Sequence, residues 1–513
     1  MPLASRFHGS VIHCSGLFPP DIDNKESAVS SLSTLSPQGL WTWFETICSI
    51  PHPSKREIAL RGHIENWAKA QGLETVIDAV GNLVIRKPAT PGYEHLKGVI
   101  IQAHLDMVPQ KNSGTAHRFD RDPIQAYIDG DWVTAKDTTL GADNGIGMAS
   151  ALAVLGDNTV EHGPLEVLLT IDEEAGMTGA FGLEAGLLKG DILINTDSEE
   201  EGEVYMGCAG GVDAELTLPM AREATPAGYT SLKLALTGLK GGHSGCDIHT
   251  GRGNANKLLG RFLFGHAAEL GIRLAKFTGG SLRNAIPREA FVEFALPADN
   301  VAELERLVAL YTDVLNNELQ AIETDLDLSL SAIDAPAELF NADDQAKLLA
   351  LIHAGPNGVI RMSDAFPGVV ETSLNMGVIT TKDDQVRVMC LIRSTVDSGR
   401  SMVENMLQAL ADLAGAQLKL SGAYPGWQPD PSSPIMAVVR ETYQSLFGKL
   451  PNIQVIHAGL ECGLFKEPYP ALDMVSIGPT IRFPHSPDEK VEIATVEKYW
   501  QLLLAVLKAI PAK

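Results

Sequence analysis

The chain contains no run of about eighteen apolar residues, so no helical membrane span is expected. Cysteine is scarce. The six present (Cys14, Cys48, Cys208, Cys246, Cys390, Cys462) show no CxxC spacing. A thiolate zinc site built on a local pair is thereby excluded. Reduced thiols in a reducing compartment, the cytoplasm, are expected rather than a disulfide framework. Basic residues are in deficit, 40 Lys and Arg against 64 Asp and Glu, for a net charge of −24. Such a surface repels phosphate backbones and anionic lipid, which argues against nucleic acid and membrane surfaces as partners. The N-terminus also lacks the continuous apolar core of a signal peptide. Val11-Ile12-His13-Cys14 is a broken stretch, followed by Pro19-Pro20 and a Ser-rich run, so a flexible extension over residues 1–34 is expected.

Of the 513 residues, 45% are hydrophobic and 20% charged, an ordinary globular composition long enough for two or more domains. Apolar residues at helical spacing over 56–71 end at Gly72. Buried strands are expected at 98–103, 165–171 and 191–196, with a small-residue helix over 145–155 between them. Strands alternating with helices predict an α/β fold with a mostly parallel central sheet flanked by helices. The texture changes after Cys208-Ala209-Gly210-Gly211 to two successive sets of strands and helices, and α/β texture returns beyond the Pro-, Gly- and Ser-rich stretch 425–434. Residues 35–210 and 424–513 are therefore expected to form one domain, with an α+β domain, 211–423, inserted into it.

In open α/β sheets ligands gather beyond the carboxyl ends of the strands. The apolar run VIIQA leads into His104-Leu105-Asp106, LEVLLTI into Asp172-Glu173-Glu174, and DILINT into Asp197, while Asp143 stands in a loop just before a helix. Acids converging on one sheet edge repel one another unless cations balance them. Imidazole with carboxylate, and no cysteine, is a donor set for zinc or manganese. His104 and Asp106 are two apart and share a strand face, so Asp106 is placed to hold the other ring N–H of His104. Successive side chains diverge, so one of Glu173 and Glu174 is expected as ligand and the other as general base. Taken singly, a strand-end His or Asp is more often structural; their shared position is what points to a metal centre.

The stretches QAHLDMVPQ, TTLGADNGIGMASALAV, TIDEEAGMTGAFGL, INTDSEEEGEVYMGCAGG, GLKGGHSGCDIHTGRGNANKLL, SLRNAIPREAF, IQVIHAGLECGLF and GPTIRFPHSPDEKV occur in this order from the first strand to near the C-terminus. Together they resemble the zinc aminoacylase and carboxypeptidase superfamily, and within it the aminoacyl-histidine dipeptidases. The resemblance implies a zinc-exopeptidase-like catalytic domain with an inserted α+β lid. It implies two Zn2+ per chain, replaceable by Co2+ or Mn2+, with His104, Asp143 and Asp197 on one and Asp143, Glu174 and His485 on the other. Asp143 would bridge, followed by a cis peptide bond. Asp106 would orient His104, and Glu173 would be the base acting on the bridging water. His243 would polarise the scissile carbonyl, Arg393 would hold the substrate's terminal carboxylate, Glu461 would meet its ammonium group, and Asn284 would add a further substrate contact.

The implied activity is hydrolysis of dipeptides with a free N-terminus, including Xaa-His types such as carnosine. An N-acyl amino acid deacylase or an aminopeptidase of the same superfamily is the alternative. The two sets within the insertion leave open a dimer imitated within one chain and a homodimer of two copies. Arg482-Phe483 before Pro484-His485, and Cys246-Asp247 after His243, depart from the family's pattern. The former pair is expected either to narrow the pocket or simply to pack.

Overall fold

In the computed structural model, which describes residues 31–112 and 114–513, the run Val99–His104 is the centre of an eight-stranded sheet. It pairs in parallel with Leu165–Thr170 on one side and Ile192–Asn195 on the other, and Ile192–Asn195 pairs in parallel with Asp473–Ser476. The hairpin Glu74–Ile77 and Leu83–Lys87 closes one edge antiparallel, and the parallel pair Glu203–Cys208 and Asn452–Ile456 forms the other. Both faces of the central strands are covered, which is why Val99–His104, Leu165–Thr170 and Ile192–Asn195 are buried at every position and read as continuous apolar runs. Parallel strands also present their carboxyl ends at one edge, and His104 stands at that edge.

The helix Ala142–Gly156 is buried on nearly every side. Small residues let it sit close to its neighbours. A Cβ on Gly145 would lie 2.9 Å from Phe44 of the helix Gln38–Ser49, and one on Gly147 would overlap Thr196 Oγ1 and Asn144 Oδ1. Glycine at 147 thus brings the start of this helix against the strand end that carries Asp197.

A second hydrophobic core, from Val212 to Ala414, lies between another sheet and the helices Ala255–Leu270, Val301–Leu319, Ala342–Ala354 and Asp397–Ala414. The two sets read from the sequence join into a single antiparallel sheet. The joint is short: Arg273–Gly279 meets Val370–Lys382 only at Thr278↔Thr380 and Gly279↔Ile379. A small four-stranded sheet (Ile481–Arg482, Lys490–Glu492, Trp132–Ala135, Ala126–Asp129) flanks the turn that carries His485.

The expected flexible extension lies, for residues 1–30, outside the described residues. Leu32 is buried in the first core, so packed structure begins before Ser36. Among the described residues no helix is long and apolar enough to cross a membrane. Gly147→Ala is expected to destabilise the fold by about 1–3 kcal/mol through overpacking, measured by urea unfolding of the metal-free protein.

Candidate metal centre

Three strand ends and two loops converge beyond the carboxyl edge of the first sheet. His104 ends its strand and is buried. Leu165–Thr170 leads through Asp172, at φ 56°, into the helical turn Glu173–Gly176, which presents both glutamates. Ile192–Asn195 leads to Asp197. Asp143 lies in the first turn of its helix at φ −83°, ψ 110°, outside helical values, and the Asp143–Asn144 peptide is cis. His485, at φ 60°, projects from the turn between Ile481–Arg482 and Lys490–Glu492.

The two oxygens of Asp143 face different histidines. Oδ1 is 3.2 Å from His104 Nε2, and Oδ2 is 3.1 Å from His485 Nε2. Each histidine meets one more carboxylate: His104 Nε2 is 3.4 Å from Asp197 Oδ1, and His485 Nε2 is 3.0 Å from Glu174 Oε1. Two triads result, His104–Asp143–Asp197 and Asp143–Glu174–His485, each with its donor atoms within 4.8 Å of one another. A single ring nitrogen carries only one proton, so it cannot serve two carboxylates at once. Glu174 Oε1 is in fact buried without a hydrogen bond. A cation is the partner that satisfies both oxygens together, and the donors are those that suit zinc.

Electrostatics follow from this crowding. Burial pushes the Asp143 carboxyl up, but hydrogen bonds from His104 and His485 outweigh it and hold the group below its usual range. Burial and the charge of Asp143 raise Glu174 to about 7 and also raise Asp197. Glu173 is raised well above the usual range, mainly by burial, with Glu174, Asp197 and Glu461 adding to it. Burial disfavours protonated His485, yet its two carboxylate partners raise it to about 11. In the metal-free chain, protons take the place of cations.

Asp106 does more than the expected orientation of His104. His104 Nδ1 is nearer the Asp106 carbonyl, at 3.0 Å, than its carboxylate, at 3.4 Å. That carboxylate instead accepts from Ser54 Oγ at 2.7 Å and from the backbone N–H groups of Glu173 and Glu174 at 3.0 and 3.2 Å. It therefore fixes the turn bearing both glutamates, because the chain bends after His104 and turns the Asp106 side chain toward the neighbouring strand end.

The second sheet contributes His243 and Arg393. His243 Nδ1 accepts N–H bonds from Cys246 at 3.0 Å and Gly245 at 3.3 Å, which leaves the proton of the neutral ring on Nε2. Burial and the nearby Arg393 lower its pKa to about 4, so the ring is neutral at pH 7. Nε2 lies 3.3 Å from Arg393 Nη2, so two donors stand side by side. Arg393 is buried, 5% exposed, with Ser244 Oγ and Tyr424 Oη each at 3.3 Å. Among the described residues no carboxylate pairs with it. A buried guanidinium without a counter-charge is costly, and an anionic group placed between these donors removes that cost.

Asn284 is exposed, and its carbonyl accepts the Ser244 N–H at 2.9 Å, beside the His243 turn. Glu461 is enclosed at 1% exposure, with Oε2 held by Gln102 Nε2 at 2.6 Å and Thr170 Oγ1 at 2.7 Å and Oε1 unpartnered. Burial raises it to about 8. Phe483 is 58% exposed, with Lys490 Nζ 5.8 Å from its ring centroid. Arg482 pairs with Glu200 at 2.6 Å.

Sequence reasoning passes over Ser54, Asn144 and Glu489, which hold the site residues in place. Asn144 Nδ2 donates to the Thr196 carbonyl at 2.9 Å and to the Asp197 carboxylate. The signal that reaches Asn144 and Glu489 is their place inside the stretches around Asp143 and His485; Ser54 has no local signal.

The description Peptidase family M20/M25/M40 matches residues 100–509. The chain belongs to this peptidase family. A curated member, the cytosol non-specific dipeptidase of Escherichia coli (strain K12), is 62% identical over 485 residues, covering 94% of this chain and 100% of the relative. The crystal structure of aminoacylhistidine dipeptidase from Vibrio alginolyticus is similar at TM-score 0.85 and 65% identity, over 94% of this chain and 99% of that one. An aminopeptidase from Bacillus cereus ATCC 10987 shares the M20 fold at TM-score 0.57 and 16% identity, over 93% of this chain and 99% of that one.

Metal binding is expected to release protons, because His485, raised to about 11, and Glu174, raised to about 7, carry protons that a cation displaces. The affinity of the metal-free chain for Zn2+ should therefore fall as pH is lowered from about 8 to about 6. Calorimetry in buffers of different ionisation enthalpy measures the released protons, and release indistinguishable from zero would refute the expectation.

Proposed function

We infer that this chain is a metal-dependent dipeptidase of the cytoplasm, cleaving the single peptide bond of dipeptides with a free N-terminus, Xaa-His dipeptides among them. The observation that carries the reading is the split of Asp143, one oxygen toward His104 and the other toward His485. Its close relatives are named for dipeptide hydrolysis.

Two zinc ions are the proposed cofactors, with His104, Asp143 and Asp197 holding one and Asp143, Glu174 and His485 the other. When bound, the pair supplies Lewis-acid polarisation of the carbonyl and a lowered pKa for the attacking water. Glu173 lies beside both triads without a partner of its own among the described hydrogen bonds, and its raised pKa suits a group that takes a proton from water and returns it to the leaving amine. His243, neutral with its proton on Nε2, donates to the oxygen on which charge develops, worth about 3 kcal/mol at the transition state. Arg393 takes the terminal carboxylate of the substrate, with Asn284 at the adjoining turn. Glu461 offers its unpartnered Oε1 to the ammonium group. These two anchors, one for each terminus, set the length of the substrate.

Residues His243 and Arg393 come from different sets of the inserted unit, yet meet within one chain at 3.3 Å. This supports a chain that completes its own donor pair, with a homodimer not needed for that step.

Turnover should be fast on a dipeptide, and at least about tenfold slower on its N-acetyl form and on a tripeptide, in a direct hydrolysis assay. Preference for the acetylated substrate would show a deacylase instead. Glu173→Ala should keep both metals by elemental analysis and lose about 10²–10⁴ in kcat. Near-normal turnover in that variant would exclude Glu173 as the base.

A further inference from the structure

Glu489 follows His485 by four residues and has no part in the chemistry above. It is 2% exposed, and its carboxylate accepts four consecutive backbone N–H groups. Oε2 takes those of Leu140 at 2.8 Å and Gly141 at 3.1 Å; Oε1 takes those of Ala142 at 2.8 Å and Asp143 at 3.3 Å. Successive N–H groups turned inward make a concave nest for an anion. Here the anion is a side chain from the other end of the chain. Its own backbone is fixed as well: its N–H donates to the Ser486 carbonyl at 3.1 Å, and its carbonyl accepts from Thr134 Oγ1 at 2.8 Å.

The two segments that Glu489 joins each carry one member of the second triad. Asp143 sits outside helical geometry, so the ladder of its helix does not fix it. His485 is half-exposed in its side chain and stands on a turn rather than a strand end. The first triad shares Asp143, but its other two members, His104 and Asp197, are set by neighbouring parallel strands. We propose that Glu489 is a positioning residue for the second metal position, holding the Asp143 backbone against the His485 turn so that Asp143 Oδ2, Glu174 and His485 Nε2 converge. The proposal rests on the two-metal reading of the site.

The test is titration of the metal-free protein with Co2+, following the visible absorption of the bound ion and the stoichiometry. Wild type should take up two ions per chain. Glu489→Gln keeps the shape but replaces one acceptor oxygen with an amide nitrogen, so two of the four N–H groups lose their partner. It should weaken binding of the second ion about ten- to a hundredfold and that of the first, which shares only Asp143, clearly less, with the absorption of the second site changed. Glu489→Asp keeps the charge while drawing it back from the nest, and should weaken the second ion in the same selective way. It carries the test if the glutamine variant does not fold. Unchanged affinity for both ions in the folded variants overturns the proposal, and so does equal weakening of both, which marks a general structural role. Uptake of fewer than two ions by wild type would instead sink the two-metal reading itself.

Discussion

The carboxylate of Asp143, turned with one oxygen to His104 and the other to His485, is the contact around which the edge of the first sheet is arranged. Asp197, Glu174 and Glu173 crowd the same buried edge, and without positive charge their mutual repulsion would open it. Two imidazoles supply that charge as imidazolium; under the proposed reading they would yield their lone pairs to cations. Either way, the positions of the acids are fixed by what lies beneath them. Asp106 grips the turn that carries the glutamates, Asn144 grips Asp197, and Glu489 grips the backbone leading into Asp143.

The inserted unit meets this edge with a different electrostatic character. Arg393 is buried with no carboxylate partner among the described residues, and neutral His243 points its N–H to the same place. Acids stand on the sheet edge, and the donors of the inserted unit carry the opposite demand. His457 helps to register the two surfaces: its Nε2 is 2.7 Å from Ser373 Oγ on the second sheet.

Much of the first sheet was legible because its central strands are buried on both faces, so 99–104, 165–170 and 192–195 stand out as unbroken apolar runs. The residues directly after them, His104, Asp106, Glu173, Glu174 and Asp197, follow from one rule about strand ends. Less legible were the strand Gly210–Pro219 that opens the second sheet and the short strands Ile481–Arg482 and Lys490–Glu492. Strands of two or three residues carry no readable alternation, and their pairing with Trp132–Ala135 spans most of the chain.

By itself, the sequence pointed to a candidate metal centre at one sheet edge and to which family's motifs surround it, because strand ends and motif order are local properties. It did not determine how His485 reaches Asp143, since that depends on a loop more than three hundred residues away in the chain. Only the tertiary structure decided that Asp106 serves the glutamate turn as much as His104, that Arg393 has no carboxylate partner among the described residues, and that Glu489 carries four N–H bonds. Each of these depends on where groups distant in sequence stand to within an ångström, and hydrogen bonds and ion pairs have their strength only at that range.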